Sequence, residues 1–95
     1  MVKHIVMFKL LEKNKTNIEK VVNALKSLEG NIDVLRSLEI GVNFTESDRN
    51  YDVVLTTEFG NREGLSIYRP HPKHLPVVET IRSLCTGSVA VDYEF

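Results

Sequence analysis

The chain predicts an α+β fold with the element order β-α-β-β-α-β. Three observations carry it. Apolar residues alternate with period two at both ends of the sequence, two stretches repeat with helical period, and a strand, a polar link and a second strand lie between them.

Residues 2–11 read as the first strand, with Val2, His4, Val6, Phe8 and Leu10 on one face and Ile5, Met7 and Leu11 on the other. Such a strand wants apolar material on both sides. Residues 14–29 change period: Ile18, Val21, Val22, Leu25 and Leu28 form one helical stripe, with Thr16 or Asn17 as the cap and Gly30-Asn31 as the stop. Residues 34–44 alternate again through Leu38, Ile40, Val42 and Phe44. A polar link over 45–50 joins them to a third strand over 51–59, in which Val53, Leu55 and Phe59 are in phase. A short helix over about 61–68 is expected next, interrupted at Pro70. A residue before proline is pushed out of the α region, so His71 is expected to cap the second long helix and Pro72 to be its first residue. Leu75, Val78, Ile81 and Cys85 make its stripe, Gly87 closes it, and Val89, Val91, Tyr93 and Phe95 alternate in a last strand.

That order describes a ferredoxin-like protomer, a four-stranded antiparallel sheet with its helices on one face. The other face would then leave apolar side chains in water, which soluble proteins rarely tolerate over a broad patch. Pairing two such faces in a two-fold homodimer buries them and makes a dimeric α/β barrel, whose interior is either filled or holds a ligand. Val6 and Phe8, on the same strand face as His4, are the candidate cavity-lining residues.

Composition narrows the function. Ninety-five residues are expected to form a single domain over 1–95, and the net charge of −1 offers no bulk attraction to nucleic acid or anionic lipid. Neither a nucleic-acid nor a membrane partner is therefore expected. No apolar run has signal-peptide or membrane-spanning length, so a cytoplasmic protein is the default expectation. The one cysteine, Cys85, excludes an internal disulfide and, beside Ile81 and Leu84, suits an inert thiol. The five glycines are dispersed and build no phosphate loop, and no cofactor is expected.

Chemistry concentrates in Tyr68-Arg-Pro-His71-Pro-Lys-His74, which holds two of the three histidines. His74, expected in the first turn of the helix, sits where the positive end of the dipole disfavours imidazolium. A neutral imidazole there can act as a general base, with Asp92 fixing its tautomer and Tyr68 polarising a carbonyl by hydrogen bonding. Each residue also has a purely structural role open to it. His71 can be the helix cap, His74 a clasp to a strand backbone, His4 a satisfied core histidine and Asp92 an acceptor for the turn. His71 and His74 stand three apart, but no Cys-x-x-Cys or His-Glu-x-x-His pattern accompanies them, so no metal site is expected.

Four segments resemble a known family: the opening Val-Lys-His4-Ile-Val-Met-Phe-Lys9, the Tyr51-Asp-Val-Val-Leu55 strand, the Tyr68-x-x-His71-Pro-x-His74 turn and the closing Val91-Asp92-Tyr93. Together they are similar to the stress-responsive dimeric α/β-barrel (Dabb) domain over essentially the whole chain. The resemblance implies a homodimer of ferredoxin-like protomers with a central cavity, and no assigned reaction for most members. In the plant cyclase that makes olivetolic acid, the positions matching His74 and Tyr68 carry catalysis, the histidine as general base, and matches to His4 and Asp92 lie nearby. The expected function is thus a Dabb-type homodimer of unassigned activity that binds a small apolar or carbonyl-bearing molecule. The alternatives are a cofactor-free polyketide cyclase or lyase using His74 and Tyr68, a heme- or quinone-related monooxygenase, and a stress-associated structural dimer without catalysis.

Overall fold

Seven elements follow one another in the computed structural model, which describes residues 1–95. They are β1 (Val2–Leu10), α1 (Lys15–Lys26), β2 (Leu35–Val42), β3 (Val53–Phe59), α2 (Arg62–Tyr68), α3 (Leu75–Leu84) and β4 (Cys85–Glu94). The strands form one antiparallel sheet in the order β2-β3-β1-β4, the ferredoxin-like arrangement the hydropathy pattern predicts. No helix is long and apolar enough to cross a membrane.

The caps explain where the helices start. Asn14, not Thr16 or Asn17, caps α1: its side-chain oxygen accepts from the Asn17 amide at 2.8 Å, satisfying one of the free donors of the first turn. Asn61 does the same for α2, accepting from Gly64 N–H at 2.9 Å. Beyond α1 the chain reverses through Gly30, whose φ of 76° is the left-handed conformation that glycine adopts without penalty.

The second long helix departs from expectation at both ends. Pro72 is not its first residue; α3 begins at Leu75, and His74 occupies the N-cap position without a side-chain capping bond. The cause is Pro76, which has no N–H to donate back to the Pro72 carbonyl, so the ladder is interrupted and residues 72–74 form a separate turn. At the other end the chain passes directly into β4 at Cys85, so Gly87 lies within a strand instead of closing a helix. Val77 and Ile81 are the buried residues of α3, whereas Leu75 is half exposed.

The hairpin ends also move inward. β2 stops at Val42 and β3 starts at Val53, leaving Phe44 in the connection and almost fully exposed. Phe44 therefore fills no interior, while Phe8 and Phe59 are core residues.

The core lies between the sheet and the helices. Val2, Phe8 and Leu10 of β1 join Val53, Leu55 and Phe59 of β3 under Val21 and Leu25 of α1, Tyr68 of α2 and Ile81 of α3. Burying each such side chain contributes roughly 1.5–3 kcal/mol. The even-numbered face of β1 thus points at the helices. The odd-numbered face carries Ile5 and Met7 toward the uncovered side, beside Val89, Val91 and Tyr93 of β4, which remain 42–53% exposed.

Candidate functional site

Tyr68 is the last residue of α2 and is 1% exposed, the largest fully buried side chain of the protein. Its ring packs on Phe59 at 5.0 Å between centroids and stacks on His74 at 4.1 Å with 30° between planes. The His4 ring meets it edge-on at 6.3 Å. Its hydroxyl has no hydrogen-bond partner in the protein. Burying a hydroxyl in that state costs about 1–3 kcal/mol. The same burial pushes the phenol pKa up to about 12, so Tyr68 is a neutral donor across the physiological range.

His74 is positioned by the turn before α3. Its amide donates to the His71 carbonyl at 2.9 Å, and its Nδ1–H donates to the Arg69 carbonyl at 2.9 Å. A carbonyl can only accept, so the proton sits on Nδ1 and the Nε2 lone pair is left free. Partial burial lowers the pKa of the ring, opposed by the Arg69 and Tyr68 carbonyls and assisted by repulsion from His4 and His71. Burial is the main cause that favours the neutral form expected from the sequence.

Asp92 stands opposite His4 in the β1–β4 register and serves that residue, not His74. His4 Nδ1 bonds one carboxylate oxygen, and the Arg69 guanidinium donates to the other at 2.6 Å. Partial burial pushes the Asp92 carboxyl up, but the His4 and Arg69 bonds outweigh it and hold the group below the usual carboxylate value. The tautomer of His74 is fixed instead by the backbone of Arg69. The expected helix cap, His71, caps a turn: its Nδ1 accepts from the Lys73 amide at 3.1 Å, and its carbonyl takes the first bonds of the path into α3. Cys85 is half-buried, and burial together with the Asp52 carboxylate raises its thiol pKa, as suits an unreactive thiol.

His4, Val6, Phe8, Tyr68 and His74 line one pocket of about 240 Å³. It lies inside the protomer, roofed by α1 and α3 and floored by the even face of β1. The expectation that His4, Val6 and Phe8 face an interior between two sheets is therefore corrected: strand alternation sends them under the helices. A larger depression of about 550 Å³ lies beside the β2–β3 hairpin, lined by Met7, Gly41, Phe44 and Tyr51. It contains no histidine and no buried polar group lacking a partner.

Three contributors were not anticipated from the sequence. Arg69 links the two histidines, holding His74 through its carbonyl and Asp92 through its guanidinium. Arg82 and Ser88 line the pocket far from Tyr68. Arg69 sits within the Tyr68–His74 motif, and Arg82 follows Val78 at the four-residue spacing of one helix face, which are the signals that point to them.

The family model of the stress responsive A/B barrel domain matches residues 2–95. An uncharacterised protein of Streptomyces coelicolor is 31% identical over the full length of both chains. A stress-response A/B barrel domain-containing protein of Arabidopsis thaliana is 30% identical over 97% of this chain, which spans 36% of that longer relative. Among solved structures, a dimeric ferredoxin-like protein of unknown function from Bacteroides fragilis superimposes with a TM-score of 0.85 at 29% identity, covering 99% of this chain and 95% of the other.

Proposed function

The chain belongs to the stress responsive A/B barrel domain family, and from that premise we propose that its 95 residues act as one domain in a cytoplasmic homodimer that binds a small carbonyl-bearing molecule in the pocket of each protomer. The family carries no single activity, so the reading rests on the site. The observation that carries it is the Tyr68 hydroxyl, buried without a partner in the protein, on a ring that lines the pocket and stacks on His74. A structural dimer without a ligand would be expected to satisfy or delete that hydroxyl. A ligand carbonyl accepting from it removes the cost of leaving it unpaired. The volume lies just below the roughly 300–1,000 Å³ of ordinary small-molecule sites, which favours a compact ligand.

The dimer is supported by the uncovered apolar face of the sheet and by the dimeric state of the Bacteroides fragilis neighbour. A lone free cysteine is compatible with a reducing compartment.

A second reading, proton abstraction without a cofactor, is favoured by the tautomer of His74. With Nδ1–H held by Arg69, Nε2 is available to take a proton from the carbon next to a bound carbonyl, and Tyr68 O–H donates to the enolate oxygen that forms. Both readings are tested with 2-octanone in D2O, followed by NMR. Binding is expected to shift the His74 ring resonances, and Tyr68→Phe to weaken it about tenfold. Exchange of the protons next to the carbonyl is expected to be accelerated by the wild type and to drop about a hundredfold or more in His74→Gln. Binding without exchange removes the catalytic reading alone; no binding removes both.

A further inference from the structure

We propose that the pocket is a two-ended site for a small oxo acid, with the carbonyl held at Tyr68 and His74 and a carboxylate held at Arg82. This rests on the preceding reading of the Tyr68–His74 end and adds the substrate class. The pocket has polar groups at two separated places. Tyr68, His74 and His4 define one end, and Arg82 and Ser88 the other. In the β1–β4 register His4 faces Asp92 and Phe8 faces Ser88, so the ends lie four strand residues apart, about 13 Å along β1. On the roof, His74 and Arg82 are separated by eight residues of α3 and its cap, about 12 Å along the helix. The two measures agree. Between the ends the walls are apolar, with Val6, Leu55, Val77 and Ile81 among them.

Arg82 is the one formally charged side chain on the lining, and it is not committed elsewhere: its contact with Glu79 on the same helix is 3.9 Å long, and both side chains are largely exposed. A separate recess of about 150 Å³ shares Phe8, Ile81, Arg82 and Ser88 with the pocket and is also lined by Cys85, so Arg82 borders both spaces. An uncharged ketone would leave the guanidinium without a function in binding. A carboxylate would accept from it with a charge-assisted bond. The last carbonyls of α3 oppose an anion at that end, so the preference for an acid depends on Arg82 itself.

The test compares 7-oxooctanoate with 2-octanone, which differ by a carboxylate in place of a methyl group, in calorimetric titrations of the full-length protein. The acid is expected to bind about tenfold tighter than the ketone, a preference that shrinks with added salt. In Arg82→Gln the preference for the acid is expected to be lost, so that the acid binds no tighter than the ketone does to the same variant. Arg82 is exposed, so this variant keeps the core, and the salt series on the wild type is an independent arm. Equal binding of the two probes to the wild type overturns the oxo-acid proposal and leaves the carbonyl site standing. An acid preference that survives in Arg82→Gln also overturns it. Failure of both probes to bind overturns the oxo-acid proposal together with the carbonyl site.

Discussion

The two faces of the sheet are unfinished in different ways. Under the helices, nearly everything apolar is buried and one hydroxyl, that of Tyr68, is buried without a partner. On the open face the polar groups are in water, but so are Met7, Val89, Val91 and Tyr93. The first defect is a single hydroxyl without a hydrogen-bond partner, on a residue that lines a space of about 240 Å³. The second is a broad apolar surface, which a second sheet covers and a small ligand cannot. One strand, β1, serves both, because its alternate residues face opposite sides.

The largest test of this contrast sets a helix-face residue against an open-face residue. Phe59, fully buried and packed on Tyr68, is expected to cost about 3–5 kcal/mol on replacement by alanine, read from urea unfolding. Val91→Glu on the open face is expected to leave the protomer folded and to raise the dimer dissociation constant a hundredfold or more, about 2.7 kcal/mol. Light scattering should then give the 10.8 kDa protomer mass in place of twice that value. If Val91→Glu unfolds the protein and Phe59→Ala does not, the two faces have been assigned the wrong way round.

A smaller effect of unusual sign sharpens the helix side. Tyr68→Phe keeps the ring contacts with Phe59 and His74 and removes only the unpaired hydroxyl. The ligand-free protein is therefore expected to gain up to about 1 kcal/mol while losing ligand affinity, the trade that a functional group imposes on stability. A loss of stability in this variant would mean that the hydroxyl is already bonded without ligand.

The smallest effect is a pH dependence. Burial keeps His74 below its ordinary pKa of 6.5, so below that pH the unfolded chain binds a proton that the folded ring resists. Stability is therefore expected to fall as the pH drops through 6.5, with no contribution from this ring above it. His74→Gln should flatten that part of the profile, and an unchanged slope would show that His74 titrates normally.

Local signals were readable in the sequence because they depend on neighbours only a few residues away. Alternation and helical period put every strand and helix in order. The Tyr68–His74 turn was readable because two prolines and two histidines lie within seven residues. Errors arose where one residue edits a pattern. Pro76 moved the start of α3 from Pro72 to Leu75, and the third-residue reach of Asn14 moved the cap of α1. The candidate pair His74 and Tyr68 was visible as a motif, but their stacking depends on how α2 ends against α3, and Arg82 depends on how α3 lies over β1.

By itself the sequence determined the element order, the antiparallel ferredoxin-like layout and the family, because each follows from periodicity and short motifs. It also determined that β1 has two apolar faces. Only the tertiary structure decided which face the helices cover, and hence that His4, Val6 and Phe8 line a pocket within the protomer. The physical reason is that a period of two states which side chains share a side, while packing of distant helices chooses the side. The same packing decided that Asp92 bonds His4, that the Arg69 carbonyl sets the tautomer of His74, and that the Tyr68 hydroxyl is left without a partner.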